Sequence, residues 1–128
     1  MVLVSWFLCL ASCNTPEKML CRTWRVIDVD FDAQAMNVSL QDKPLIVRNL
    51  KDSTMIVFRT NHTYTATFPQ KQEQGLWNFN AHKDSLYTRN SDAGAACKIN
   101  VLSKIALDLD INGSDGSKFK FVMAPVQK

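Results

Sequence analysis

Few side chains in this sequence could carry out covalent or coordination chemistry: four cysteines, two histidines and a scatter of carboxylates. An imidazole needs a partner to act as base or ligand. His62 and His82 stand far apart in turn-like stretches, with no cysteine or carboxylate at ligand spacing, so neither a zinc site nor histidine-based catalysis is expected. Asp108-x-Asp110-x-Asn112-Gly113 overlaps the first half of a calcium loop, which alternates oxygen ligands, turns at a glycine and closes on a bidentate glutamate. Phe119 occupies the closing position. Alternation along a strand already explains those oxygens as its wet face. No metal, cofactor or catalytic set is expected.

Cys13 is different, because of what precedes it. Val2 to Leu10 reads VLVSWFLCL, which matches a secretory apolar region of roughly 7–15 residues and falls short of the ~20 needed to span a bilayer. Leu10-Ala11-Ser12-Cys13 resembles the bacterial lipobox. Small residues let a peptidase grip extended backbone, and the thiolate is the nucleophile that accepts diacylglycerol. No lysine or arginine precedes the apolar run; the competing readings are a buried N-terminal strand or an ordinary cleaved signal. The resemblance implies a signal peptide over residues 1–12, acylation at Cys13 and a lipid-anchored tether over residues 13–19. Pro16 is expected to keep that tether from turning helical early. It also implies a membrane partner and a place in the bacterial cell envelope, at the outer membrane, with the leaflet open. Cys21 and Cys97 are then the thiols left over, and an exported compartment lets them pair. Each is equally at home as a small buried hydrophobe.

Length and composition bound the remainder. At 128 residues, less a leader, the chain can build one hydrophobic core and not two. A hydrophobic fraction of 46% with 21% charged residues excludes a disordered chain and a multi-span membrane protein. The formal charge is +3, with lysines and arginines scattered singly along the sequence, so nucleic acid is not expected as a partner.

Beyond residue 19 the pattern is alternation, the period of a half-buried strand. Ile105, Leu107, Leu109 and Ile111 point one way, with Asp108 and Asp110 opposite. After Asn112–Ser117, Phe119, Phe121 and Met123 alternate with lysines, which is a hairpin. Further strands are expected at Thr23–Phe31, Thr54–Arg59, Thr63–Phe68, Leu76–Phe79, Ser85–Thr88 and Cys97–Leu102. About eight strands without a convincing long amphipathic helix predict an all-β, small antiparallel fold, an up-and-down β-barrel or a sandwich, with edge protection favouring closure. Ala33–Leu50, interrupted by Pro44, is left open.

Leu20-Cys21-Arg22-Thr23-Trp24-Arg25-Val26 resembles the L-x-G-x-W-x-V opening of the lipocalin-like domains of Bacteroidetes-type lipoproteins. Phe58, Asn61-His62-Thr63-Tyr64 and Gly75-Leu76-Trp77 are similar to their F-x-x-x-G-x-Y and G-x-W stretches. Arg22 stands where the family has glycine, and Asn61-His62 replaces Asp-Gly. Trp24 should close the bottom of the barrel, its indole N–H on a carbonyl. The resemblance implies a lipocalin-like barrel over residues 20–128, non-enzymatic, able to hold a small apolar or amphiphilic molecule. Inward aromatics are the ligand-binding candidates: Phe58, Tyr64, Phe68, Trp77, Phe79, Phe119 and Phe121. The alternative is a solid barrel that docks a protein partner, in which these residues are plain core. Ser53 and Ser85, each after an aspartate, resemble Bacteroidetes-type O-glycosylation acceptors.

Overall fold

The computed structural model describes residues 15–126; the expected signal peptide and Cys13 lie outside them. The chain runs through α1 (Pro16–Leu20), β1 (Thr23–Asp30), α2 (Lys43–Ser53), β2 (Met55–Phe58), β3 (Thr63–Thr67), β4 (Gln72–Phe79), β5 (Ser85–Arg89), β6 (Gly94–Leu102), β7 (Leu107–Gly113) and β8 (Lys118–Pro125). Each strand pairs antiparallel with the next, and β8 returns to β1, giving a closed eight-stranded up-and-down barrel. Closure leaves no sheet edge, which settles the choice between barrel and sandwich.

The alternation in β1 changes phase. Trp24 and Val26 face inward, and an unbroken period of two would send Asp28 and Asp30 after them. The β1–β8 register shifts between Val26 and Asp28, so Ile27 is bulged outward, 40% exposed, and Val29 and Phe31 turn in instead. A bulge inserts one residue and exchanges the faces. Asp28 and Asp30 then accept hydrogen bonds from the N–H groups of Val29 and Phe31, both at 2.9 Å.

The expected C-terminal hairpin forms, with Leu107↔Met123, Leu109↔Phe121 and Ile111↔Phe119 in register. Its turn is tied by the Gly113 N–H donating to the Ser117 carbonyl at 2.8 Å, with Gly116 at φ +90°. Ile105 is the exception: it stands 78% exposed in the β6–β7 turn, where the Ser103 N–H donates to the Ala106 carbonyl. That turn takes the residue out of the ladder.

Two segments depart from the sequence reading. The expected tether is a helical turn from Pro16 onward. Thr15 caps it, its Oγ1 accepting from the Lys18 N–H at 3.3 Å, and Pro16 stands in the first turn. A proline there loses no intrahelical bond and already has helical φ, so it starts a helix rather than preventing one. Ala33–Leu50, where the sequence shows no clear period, contains the start of α2, again with a proline, Pro44, in the first turn. Ile46, Val47 and Leu50 pack against the core while Leu45 is 60% exposed. Lys43 ties the start of α2 to the end of β1 through Asp30 at 3.0 Å, its ammonium also 5.3 Å from the Phe31 ring centroid. The ion pair holds the Asp30 carboxyl below the usual aspartate range.

The two barrel ends are unlike. One is closed by α1 and by Trp24, which is fully buried and donates its indole N–H to the Leu20 carbonyl at 2.9 Å, as expected. Arg22 lies 5.6 Å above the same ring and donates to the Lys104 carbonyl at 2.8 Å. The other end is ringed by the β3–β4, β5–β6 and β7–β8 turns and flanked by α2.

A candidate binding cavity at the open end

The interior divides into a packed lower half and an open upper half. In the lower half, Phe58 and Phe79 meet the Trp77 ring edge-on, with centroids 5.9 and 5.3 Å away. Trp77 itself is fully buried and donates its indole N–H to the Arg59 carbonyl at 3.0 Å. Rings in this arrangement fill space and leave none.

Above them a cavity of about 680 Å³ opens at the mouth, within the range typical of small-molecule sites, roughly 300–1,000 Å³. Of the seven aromatic candidates, Tyr64, Phe68, Phe119 and Phe121 line it. Phe58, Trp77 and Phe79 do not and belong to the packed half. Alternation identifies inward positions and is silent on height along the barrel, which is why the seven could not be separated beforehand. Ile46 and Leu50 of α2, Ala95 of β6 and Ile111 of β7 complete the apolar wall. The α2 residues were missed because their segment carried no clear period.

Polar groups collect toward the rim. Lys71 and Glu73 form an ion pair at 2.9 Å, and Lys71 also stands 5.7 Å from the Phe68 ring centroid. Hydrogen bonding to Glu73, with its charge, raises the Lys71 pKa. Asp115 accepts from the Ser117 N–H at 2.9 Å and hydroxyl at 2.6 Å, which lowers its pKa. Deeper in, burial pushes the Tyr64 phenol above its ordinary range and Glu73 adds to this, while hydrogen bonds to Thr88 and Asn90 oppose. The phenol therefore stays protonated at neutral pH and keeps a hydroxyl inside an apolar wall. Gly75 admits this geometry: a Cβ there would collide with the Arg89 carbonyl oxygen and lie 2.9 Å from Tyr64 Cε1. The glycine of the G-x-W stretch is a close-approach residue.

The other sites weighed from the sequence resolve differently. Cys21 and Cys97 are both free thiols; of the two readings left open by the sequence, the structure has the unpaired one. Cys97 is buried on the inner face of β6, cross-strand from Leu86 and Ile111, whereas Cys21 caps α1 at the closed end. Burial alone raises the Cys97 thiol to about 12; Cys21 is raised by burial and by Glu17. Among the described residues no group of three or more histidine, cysteine or carboxylate side chains could hold a metal. Ser53 is exposed at the end of α2 and Ser85 half-buried at the start of β5.

His62 has a structural task that the sequence did not announce. At φ 67° it occupies a left-handed position in the β2–β3 turn, one that favours glycine. Its ring stacks on Trp77, 4.5 Å between centroids and 3° from parallel. Nδ1 lies 2.8 Å from Asn78 Oδ1 and 3.2 Å from the Trp77 carbonyl, and Nε2 lies 3.1 Å from Glu17 Oε1. Oxygens face both nitrogens, so the imidazolium, a donor at each, is best satisfied. The pKa is accordingly raised, first by Asn78, then by Glu17 and the Trp77 carbonyl, against some desolvation. A raised folded pKa adds stability that is full below the unfolded value of about 6.5 and lost as pH rises through the higher folded value. The ring is half-exposed, so the expected loss is below about 1 kcal/mol. Thermal melts across this window should show a fall with rising pH that His62→Ala abolishes; an unchanged slope in the variant would assign the effect elsewhere.

The fold and the one-ended cavity define a class: small closed β-barrels, sealed at one end and open at the other. The structure is similar to the crystal structure of a DUF4847 family protein from Bacteroides vulgatus. The TM-score is 0.53 at 13% sequence identity, over 88% of this chain and 97% of that one. At that identity the likeness is one of fold. No family model matches the sequence, and no curated protein matches it.

Proposed function

We propose that this protein is a lipid-anchored envelope protein whose barrel takes up a small apolar or amphiphilic molecule through its open end, without catalysing a reaction on it. One observation carries the reading: a cavity of about 680 Å³ with apolar walls and a charged rim, above a solidly packed lower half. An aliphatic chain would lie against Phe68, Ile111, Phe119 and Phe121, and a polar head would meet Lys71, Glu73 and the Tyr64 hydroxyl. Binding rather than chemistry is favoured because the rim's charged groups are already engaged, Lys71 with Glu73 and Asp115 with Ser117, and the Cys97 thiol stays protonated. The lipobox-like Leu10-Ala11-Ser12-Cys13 supplies the anchor.

The barrel and its buried core lie within the described residues, so a chain starting at Asn14 is a fair test object. Native mass spectrometry of that chain is expected to show a co-purified small molecule, and calorimetry to show saturable dodecanoate binding. Ala95→Leu, which puts three more carbons into the wall, is expected to weaken binding about tenfold. A ligand-free barrel that ignores dodecanoate would favour the solid, partner-docking alternative.

A further inference from the structure

We propose that the closed end of the barrel is a second membrane contact, a basic face tipped by Ile105 that seats on anionic lipid and points the cavity mouth away from the bilayer. The cations that look scattered along the sequence are unevenly divided by the fold. Lys18 of α1, Arg22, Arg59, Lys83 of the β4–β5 turn and Lys104 of the β6–β7 turn gather at the closed end, against the three carboxylates Glu17, Asp84 and Asp108, the last cross-strand from Val101. Glu17 meets His62 at 3.1 Å, Asp84 accepts from the Asn80 amide at 2.5 Å, and Asp108 faces the Lys120 ammonium at 3.8 Å. The rest of the described chain carries nine cations and nine carboxylates, so the excess positive charge of the described residues sits at this end. Ile105, beside Lys104 at the tip of its turn, is 78% exposed, and Val101 and Val126 at the same end are 44% and 38% exposed. Basic side chains around a protruding aliphatic one match a bilayer surface: the cations meet lipid phosphates and the apolar tip enters the interface.

Chain connectivity gives the same orientation. Cys13 is two residues from Thr15, the cap of α1, and two residues reach at most about 7 Å. Acyl chains on Cys13 would bring this end, and no other, to the membrane. Strands of about eight residues, tilted as in small barrels, then lift the mouth by roughly 20 Å.

The orientation rests on the anchored reading, but the lipid-binding face does not, and the test separates them by using the unacylated chain from Asn14 onward. That chain is expected to co-sediment with phosphatidylcholine vesicles containing phosphatidylglycerol, not with phosphatidylcholine alone, and to be released by salt. The double variant Lys83→Glu, Lys104→Glu should weaken partition at least tenfold and Ile105→Asp about tenfold. Leu40→Asp, at an 80% exposed position near the mouth, should leave it unchanged. All four positions are exposed, and circular dichroism checks the fold. Equal sedimentation with both vesicle types, wild-type binding by the two closed-end variants, or loss confined to Leu40→Asp would each overturn the proposal. Failure here beside palmitate incorporation at Cys13 would leave the anchor standing.

Discussion

Trp24→Ala is expected to lower the free energy of unfolding by about 3–5 kcal/mol, the usual range for removing a large buried aromatic side chain. Three losses converge at this position. The ring is fully buried, so its removal leaves a cavity among residues fixed by the sheet. The Leu20 carbonyl loses the indole N–H that ties α1 to β1. The Arg22 guanidinium, 5.6 Å above the ring, loses its platform. Urea titration should show a lower midpoint with little change in slope. Trp24→Phe keeps most of the ring and loses the hydrogen bond, so it should cost distinctly less, about 1–2 kcal/mol. A loss below about 1 kcal/mol in the alanine variant would mean that α1 and Trp24 do not close the barrel.

Cys13→Ala is expected to abolish palmitate incorporation in a bacterial host. Each buried methylene contributes about 0.8 kcal/mol. Two or three acyl chains therefore hold a protein far more firmly than the exposed side chains of a small domain can. The contrast should be close to all-or-none for the label. Incorporation equal to wild type would remove the anchor from the account, whatever the cavity binds.

Much of the fold is legible where burial and chain period agree. β7 and β8 are readable because Leu107, Leu109 and Ile111 alternate without a break before a turn that carries two glycines, and Phe119, Phe121 and Met123 after it. β1 was readable in extent and misleading in phase, since the bulge at Ile27 depends on how β8 lies against it. α1 was hidden because a five-residue helix has no room for a period; its evidence is the Thr15 cap and Pro16 in the first turn. α2 is hidden because its core-facing set, the half-buried Ile46, Val47 and Leu50, is short and the exposed Leu45 breaks the stripe. The same cause kept part of the cavity wall out of view. The division of the aromatics into Phe58, Trp77 and Phe79 below and Tyr64, Phe68, Phe119 and Phe121 above follows from cross-strand register, which sequence spacing does not encode.

The order of the strands also constrains assembly in time. Seven of the eight pairings join strands that follow one another along the chain; the seam between β1 and β8 alone joins its two ends. For a polypeptide made from its amino end, β1 emerges first and must wait, one edge unsatisfied, until β8 has followed. The hazard of sticking to other chains is greatest during that interval. A truncation that removes β8 should therefore yield aggregates rather than a smaller folded protein.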